Sequence, residues 1–114
     1  MQAPGYLNLI CYQGATFDYL LTWKSAGSAV DLTNYTARMQ VREDYTSSTA
    51  VLSLTNGTGI TLGGTAGTIL LAASAGTTAA LAAGDYVYDL ELVNSNIVTR
   101  LVQGKFTVDP EVTR

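Results

Sequence analysis

A hydrophobic period of two residues runs through most of this chain. Only extended strands, whose successive side chains point to opposite faces of a sheet, satisfy that period. The strongest run sets Phe17, Tyr19, Leu21 and Trp23 on one face and Thr16, Asp18, Leu20, Thr22 and Lys24 on the other. Before it, Leu7, Leu9 and Cys11 alternate with Asn8, Ile10 and Tyr12, and Gly14 and Ala15 separate the two runs. Ala37, Met39 and Val41 alternate with polar residues over 36–42. Across 85–93, Tyr86, Tyr88, Leu90 and Leu92 oppose Val87, Asp89, Glu91 and Val93. Across 97–108, Val98, Arg100, Val102, Phe106 and Val108 oppose Thr99, Leu101, Gln103, Lys105 and Thr107.

Shorter strands are expected around Val51, Leu52 and Leu54, at 60–62 and at 68–72, with a short edge strand at 30–32. Between them lie turn signals: 25–28, a bend at Thr33 and Asn34, a polar loop over 43–49, Asn56-Gly57, and the glycine-rich 63–67. Ser95-Asn96 as a two-residue turn sets Glu91 opposite Arg100 and Leu90 opposite Leu101. Residues 74–83 are the exception, with one or two helical turns capped by Ser74 or Thr77 and stopped by Gly84. The expectation is an all-β fold: an immunoglobulin-like antiparallel β-sandwich of about seven or eight strands with one short helical crossover, residues 1–114 forming one domain. Phe17, Tyr19, Leu21 and Trp23 should face its core, with Leu90 and Leu92 opposite.

Composition agrees and narrows the function. Sixteen Thr and 7 Tyr suit a pleated, half-buried surface, and 11 Gly against 2 Pro suit tight turns. At 47% hydrophobic the chain can bury a core, yet only 13% of it is charged, and the net charge is −3. That balance argues against nucleic acid, which needs a concentrated basic face. There is no histidine and a single cysteine, which closes most routes to proton shuttling, zinc binding and an intrachain disulfide. No catalytic, cofactor-binding or metal residue is expected, and the chain is read as not an enzyme. The first residues lack a basic segment followed by a long apolar run, and 69–84 is too short and too interrupted to span a bilayer, so no membrane contact is expected.

The remaining candidates have ordinary readings beside the functional ones. Asp89 and Glu91 share a strand face, as an acid pair or as partners for Arg100. The glycines of 56–67 lack the lysine and helix of a phosphate loop and read as turns. Cys11, with no base to activate it, reads as a small buried or interfacial hydrophobe. Arg38 and Arg42 share a face and pair with acids on a neighbouring strand or on a partner chain. Tyr6, Tyr12, Tyr35 and Tyr45 lie outside the core stripes and suit an interface or partial burial equally. With Arg114 at the end of the chain, these residues make up the candidate interface.

The segments YQGATFDYLLTWK, VDLTNYTARMQVRE, GITLGGTAGTILLAASAGTTAALAAGDYVYDLEL and VTRLVQGKFTVDPEVTR follow one another in an order that resembles small tailed-bacteriophage virion proteins. They also resemble, more loosely, the N-terminal immunoglobulin-like domain of phage upper baseplate proteins. The marks are Gly14 to Phe17, Asp31 to Tyr35 and Gly84 to Leu90, which are structural and not catalytic. The resemblance implies a virion structural protein, assembled in the host cytoplasm, whose partners are tail, fibre or capsid subunits. A homo-oligomer or symmetric array in the particle goes with it. No stalk or receptor-binding domain follows the last strand, so the expectation is a stand-alone tail or baseplate adaptor that attaches fibres or other appendages, or a capsid decoration (cement) protein. A carbohydrate-binding module is the alternative from another class. The long final strand, unbroken by proline before Pro110, is the expected edge for strand addition.

Overall fold

The computed structural model describes residues 4–113. Eleven strands are present among them: β1 (Gly5–Tyr6), β2 (Leu9–Tyr12), β3 (Phe17–Thr22), β4 (Lys24–Ser25), β5 (Ser28–Ala29), β6 (Thr36–Arg42), β7 (Ala50–Asn56), β8 (Gly59–Leu62), β9 (Thr68–Ala73), β10 (Gly84–Asn94) and β11 (Ile97–Asp109). One helix, α1 (Ala75–Ala79), and a 3-10 turn at Gly64–Ala66 complete the order. The fold is the expected all-β sandwich. The strand count exceeds the expectation because β1, β4 and β5 have only two residues each.

The front layer runs β1/β2–β11–β10–β6–β7 and the back layer runs β8–β9–β3. The layers join where β7 and β8 pair in parallel for two residues, Thr55 with Gly59 and Asn56 with Ile60. Asn56-Gly57 is therefore a corner that carries the chain from one layer to the other, not a hairpin. Parallel pairing recurs where β1 and β2 flank β11, so the sheet is antiparallel only in its majority. The final strand is not an edge: β10 lies on one side of β11 and β1 with β2 on the other. The two edges are β1/β2 in front and β3 behind.

The core fills the space between the layers with the inward halves of the alternating strands. Leu90 and Leu92 of β10, Met39 and Val41 of β6, Ile69 and Leu71 of β9, and Phe106 of β11 are all buried. The Phe17 and Phe106 rings meet edge to face across the layers, with centroids 5.5 Å apart. Only Phe17 of the expected four-residue stripe is buried; Leu21 and Trp23 are half-buried, and Tyr19 is 37% exposed. The alternation is as expected, but β3 is an edge with a neighbour on one side only.

Residues 30–32 are not a strand. The Asp31 carboxylate accepts from the Thr33 amide at 3.0 Å and bends the chain. The Leu32 amide donates to the Gly64 carbonyl at 2.9 Å, which sets Leu32 into the core. Ser95-Asn96 does form the two-residue turn, with Ser95 left-handed at φ 53°. Glu91 pairs with Arg100 as expected, but a bulge follows, and Leu90 pairs with Val102 instead of Leu101.

Helix α1 is capped by Ser74, whose hydroxyl accepts from the Thr77 amide at 3.2 Å. It ends at Ala79, before Gly84, which instead opens β10. Buried Thr78 ties the helix to the β2–β3 turn: it donates to the Ala15 carbonyl at 2.8 Å and accepts from the Gly14 amide at 3.0 Å. The Tyr86 hydroxyl donates to the Ala82 carbonyl at 2.6 Å, four residues back at the start of β10. That contact has the form of the tyrosine corner of immunoglobulin-like sandwiches.

Candidate functional site

The outward face of the front layer collects most of the polar candidates. Strand register brings Arg38 level with Glu91, Glu91 level with Arg100, and Asp89 between Gln40 and Gln103. Arg38 Nε donates to Glu91 Oε1 at 2.7 Å, and Arg100 Nε lies 3.5 Å from Asp89 Oδ2. Glu91 thus faces Arg100 in register but pairs with Arg38. Arg42 donates to Gln40 Oε1 at 2.7 Å and to the Ser47 carbonyl at 2.8 Å, which folds the 43–49 loop back over the strand end. Tyr45, 77% exposed, stands on that loop. Together Gln40, Arg42, Tyr45, Asp89, Arg100 and Gln103 border a shallow groove of about 250 Å³.

Burial and the neighbouring Glu91 push the Asp89 carboxyl above the usual carboxylate range, and three arginines, Arg100 foremost, oppose that shift without cancelling it. The alternating signs make a lattice of charge on a half-wet sheet face. The arrangement can dock polar groups. Nothing in it aligns a nucleophile with a base, and among the described residues no three His, Cys, Asp or Glu side chains group closely enough to hold a metal ion. Nor, among the described residues, is any helix long and apolar enough to cross a membrane.

The front edge adds an apolar row. Tyr6 lies level with Gln103, Ile10 with Thr107 and Tyr12 with Asp109, and all three side chains are exposed, Tyr6 at 82%. The row follows from period-two alternation, since β1 and β2 keep one register along β11 and the ladder is interrupted only at Leu7 and Asn8 between them. Asn8 Oδ1 accepts from the Lys105 amide at 3.0 Å, in place of a ladder bond. The buried Tyr88 hydroxyl donates to the Leu7 carbonyl at 2.6 Å, and burial raises its pKa well above the ordinary tyrosine value. Gly104 leaves the room: a Cβ there would stand 2.4 Å from the Leu7 carbonyl oxygen.

Of the candidate residues, Tyr6, Tyr12, Arg38, Arg42 and Tyr45 share the outward side of the front layer. Tyr35 does not; it is half-buried and packs edge to face on Trp23, with centroids 5.6 Å apart. Arg114 lies outside the described residues. Cys11 is buried, and burial raises its thiol pKa, so it is a core side chain. The sequence reading missed Gln40, Arg100 and Gln103 as groove residues, although period-two alternation already set Gln40 on the face of Arg38 and Arg42. Ile10 was missed as well: its partner strand had to be known before its side of the sheet meant anything.

No protein-family model matches this chain, and no curated protein sequence matches it. Among solved structures the chain is similar to a “putative alpha-galactosidase” from Bacteroides fragilis, with a TM-score of 0.34 and 14% identity over 90% of this chain. The match spans 16% of the length of that protein.

Proposed function

We propose that this chain is a non-enzymatic structural protein of a tailed-phage virion, acting as a tail or baseplate adaptor that attaches fibres or other appendages by protein–protein contacts. Its partners are other virion proteins and further copies of itself. The resemblance of four segments covering nearly the whole chain supports the particle. One observation carries the mode of action: the exposed row Tyr6, Ile10 and Tyr12 borders a charge-paired sheet face. Aromatic side chains beside arginines are the composition of protein interfaces.

The test is copy number in purified virions by quantitative gel densitometry. A few to tens of copies per particle supports the adaptor. Hundreds would make the chain a capsid decoration protein, and absence from the particle overturns the reading.

The groove beside Tyr45 favours a second reading, a carbohydrate-binding module with Tyr45 as the stacking platform and Asp89 and Arg100 as the polar contacts. Trp23, half-buried against Tyr35, is not available for that role. Binding of the isolated protein on a glycan array, lost in Tyr45→Ala, would establish this reading.

A further inference from the structure

The back edge of the sandwich leaves one strand open on its outer side. Strand β3 ends the sheet path and bonds only to β9, in unbroken register from Phe17 with Ala73 to Thr22 with Thr68. The Trp23 amide continues that ladder, donating to the Gly67 carbonyl at 2.8 Å. In an antiparallel pair, hydrogen-bonded and non-bonded positions alternate. Phe17, Tyr19, Leu21 and Trp23 therefore aim their backbone groups at β9. Asp18, Leu20 and Thr22 aim theirs away from the sheet, and among the described residues nothing pairs with them. All three are exposed, Leu20 at 62%.

Natural edges are blunted by lysine, proline, bulges or brevity. The β3 edge has none of these within its six residues; its one charge is Asp18. We propose that β3 pairs antiparallel with β3 of a second copy, centred on Leu20, so that two back layers merge into one continuous sheet. The occupant follows from the spacing of the free groups. With Leu20 opposite Leu20 of the second copy, each Asp18 faces Thr22, and all three outward positions are used at once. Three pairs exchanging two bonds each give about six backbone hydrogen bonds. Slipping the register by two residues either way leaves outward groups unpaired.

The same register fits the side chains. On the outer face the two Leu20 side chains meet, and each Asp18 carboxylate meets a hydroxyl in place of the other carboxylate. On the inner face Tyr19 falls opposite Leu21 of the second copy at a non-bonded position, where side chains approach most closely. Tyr19 and Leu21, with Trp23, are the stripe residues that the sandwich leaves incompletely covered. A two-fold axis at Leu20 makes the contact isologous and closed, so pairing stops at the dimer.

This inference rests on one part of the reading above, that the chain contacts copies of itself. It is tested on the purified full chain without any particle, so it can fail while the virion reading stands. Sedimentation velocity across a concentration series should show a dimer. Leu20→Pro should convert it to monomer; the Leu20 amide makes no bond within the chain, so circular dichroism should stay near that of the parent and melting near that of the parent diluted to monomer. Leu20→Lys is the second breaker should the proline disturb the strand.

Register is tested by oxidation of variants that each add one cysteine, buried Cys11 being common to all. Leu20→Cys should cross-link to itself, and Asp18→Cys should cross-link to Thr22→Cys but not to itself. A chain that stays monomeric at hundreds of micromolar overturns the proposal. So does a dimer that survives both Leu20 variants, or a Leu20→Cys that cross-links no faster than the exposed front-face control Lys105→Cys.

Discussion

Strands β3 and β10 have the same amphipathic pattern in sequence and opposite fates in the fold. Tyr86, Tyr88, Leu90 and Leu92 of β10 are all buried, because β6 and β11 flank that strand on both sides. Phe17, Tyr19 and Leu21 of β3 alternate as cleanly, yet only Phe17 is buried, because β9 is the sole neighbour. Period two selects the face of a side chain. How deeply that face is buried depends on lateral neighbours, which come from distant sequence. The flanked strand and the edge strand should therefore respond differently to the same kind of substitution.

The largest contrast is between Phe106 and Tyr19. Phe106 is fully buried and touches the Phe17 and Tyr88 rings. Phe106→Ala should destabilise the monomer by about 3–5 kcal/mol in urea unfolding, as core aromatic truncations do. Tyr19→Ala, on the open flank, should cost less than about 1 kcal/mol in the monomer background of Leu20→Lys. Equal losses would break the comparison and show that the flank is covered in the free chain.

Gly104→Ala probes the close approach of the Leu7–Asn8 link to β11. The added methyl meets a backbone carbonyl and the Asn8 side chain, so the edge must move. Overpacking of this kind costs roughly 1–3 kcal/mol. The loss should be local, with faster amide exchange in β1 and β2 and unchanged exchange in β6. Uniform loss of protection would mean that the edge and the centre open as one unit.

Much of the framework was legible in the sequence. The bounds of β6, the Ser95-Asn96 turn and the Ser74 cap rest on local chemistry, and local chemistry is what a sequence prints. Other features were not legible because they depend on contacts between distant segments. The final strand looked like an edge until β1 and β2, about a hundred residues earlier, were seen to flank it. The bulge at Leu90 left the Glu91–Arg100 register intact and displaced only what lay beyond it. In the candidate surface, Arg38, Arg42 and Tyr45 were legible as outward polar and aromatic residues. Tyr35 was misplaced among them because Trp23, twelve positions away, supplies its packing.

The smallest effect separates carboxylates by the same contrast between flanked strand and open loop. Asp31 and Asp44 sit in exposed loops, where the hydroxyls of Thr33 and Thr46, and then their amides, bond to the ionised carboxylates and hold both pKa values below the ordinary range. Asp89 sits on flanked β10, where burial and then Glu91 raise its pKa. The signs follow from linkage. Whatever the loop carboxylates contribute is present above the unfolded value of about 3.9 and is lost as pH falls through their lower folded values. For Asp89 the protonated form favours the fold, so its contribution is present below that value and is lost as pH rises through its higher folded value. Side-chain carboxyl NMR should place the Asp89 midpoint above those of Asp31 and Asp44. Asp89→Asn, which fixes a neutral side chain, should leave the melting temperature unchanged or raised at pH 7, with the difference shrinking toward pH 4. An Asp89 midpoint below the loop aspartates would show that Arg100, at 3.5 Å, outweighs burial on this face. The charge lattice would then be a stabilising network and not a surface held ready for a partner.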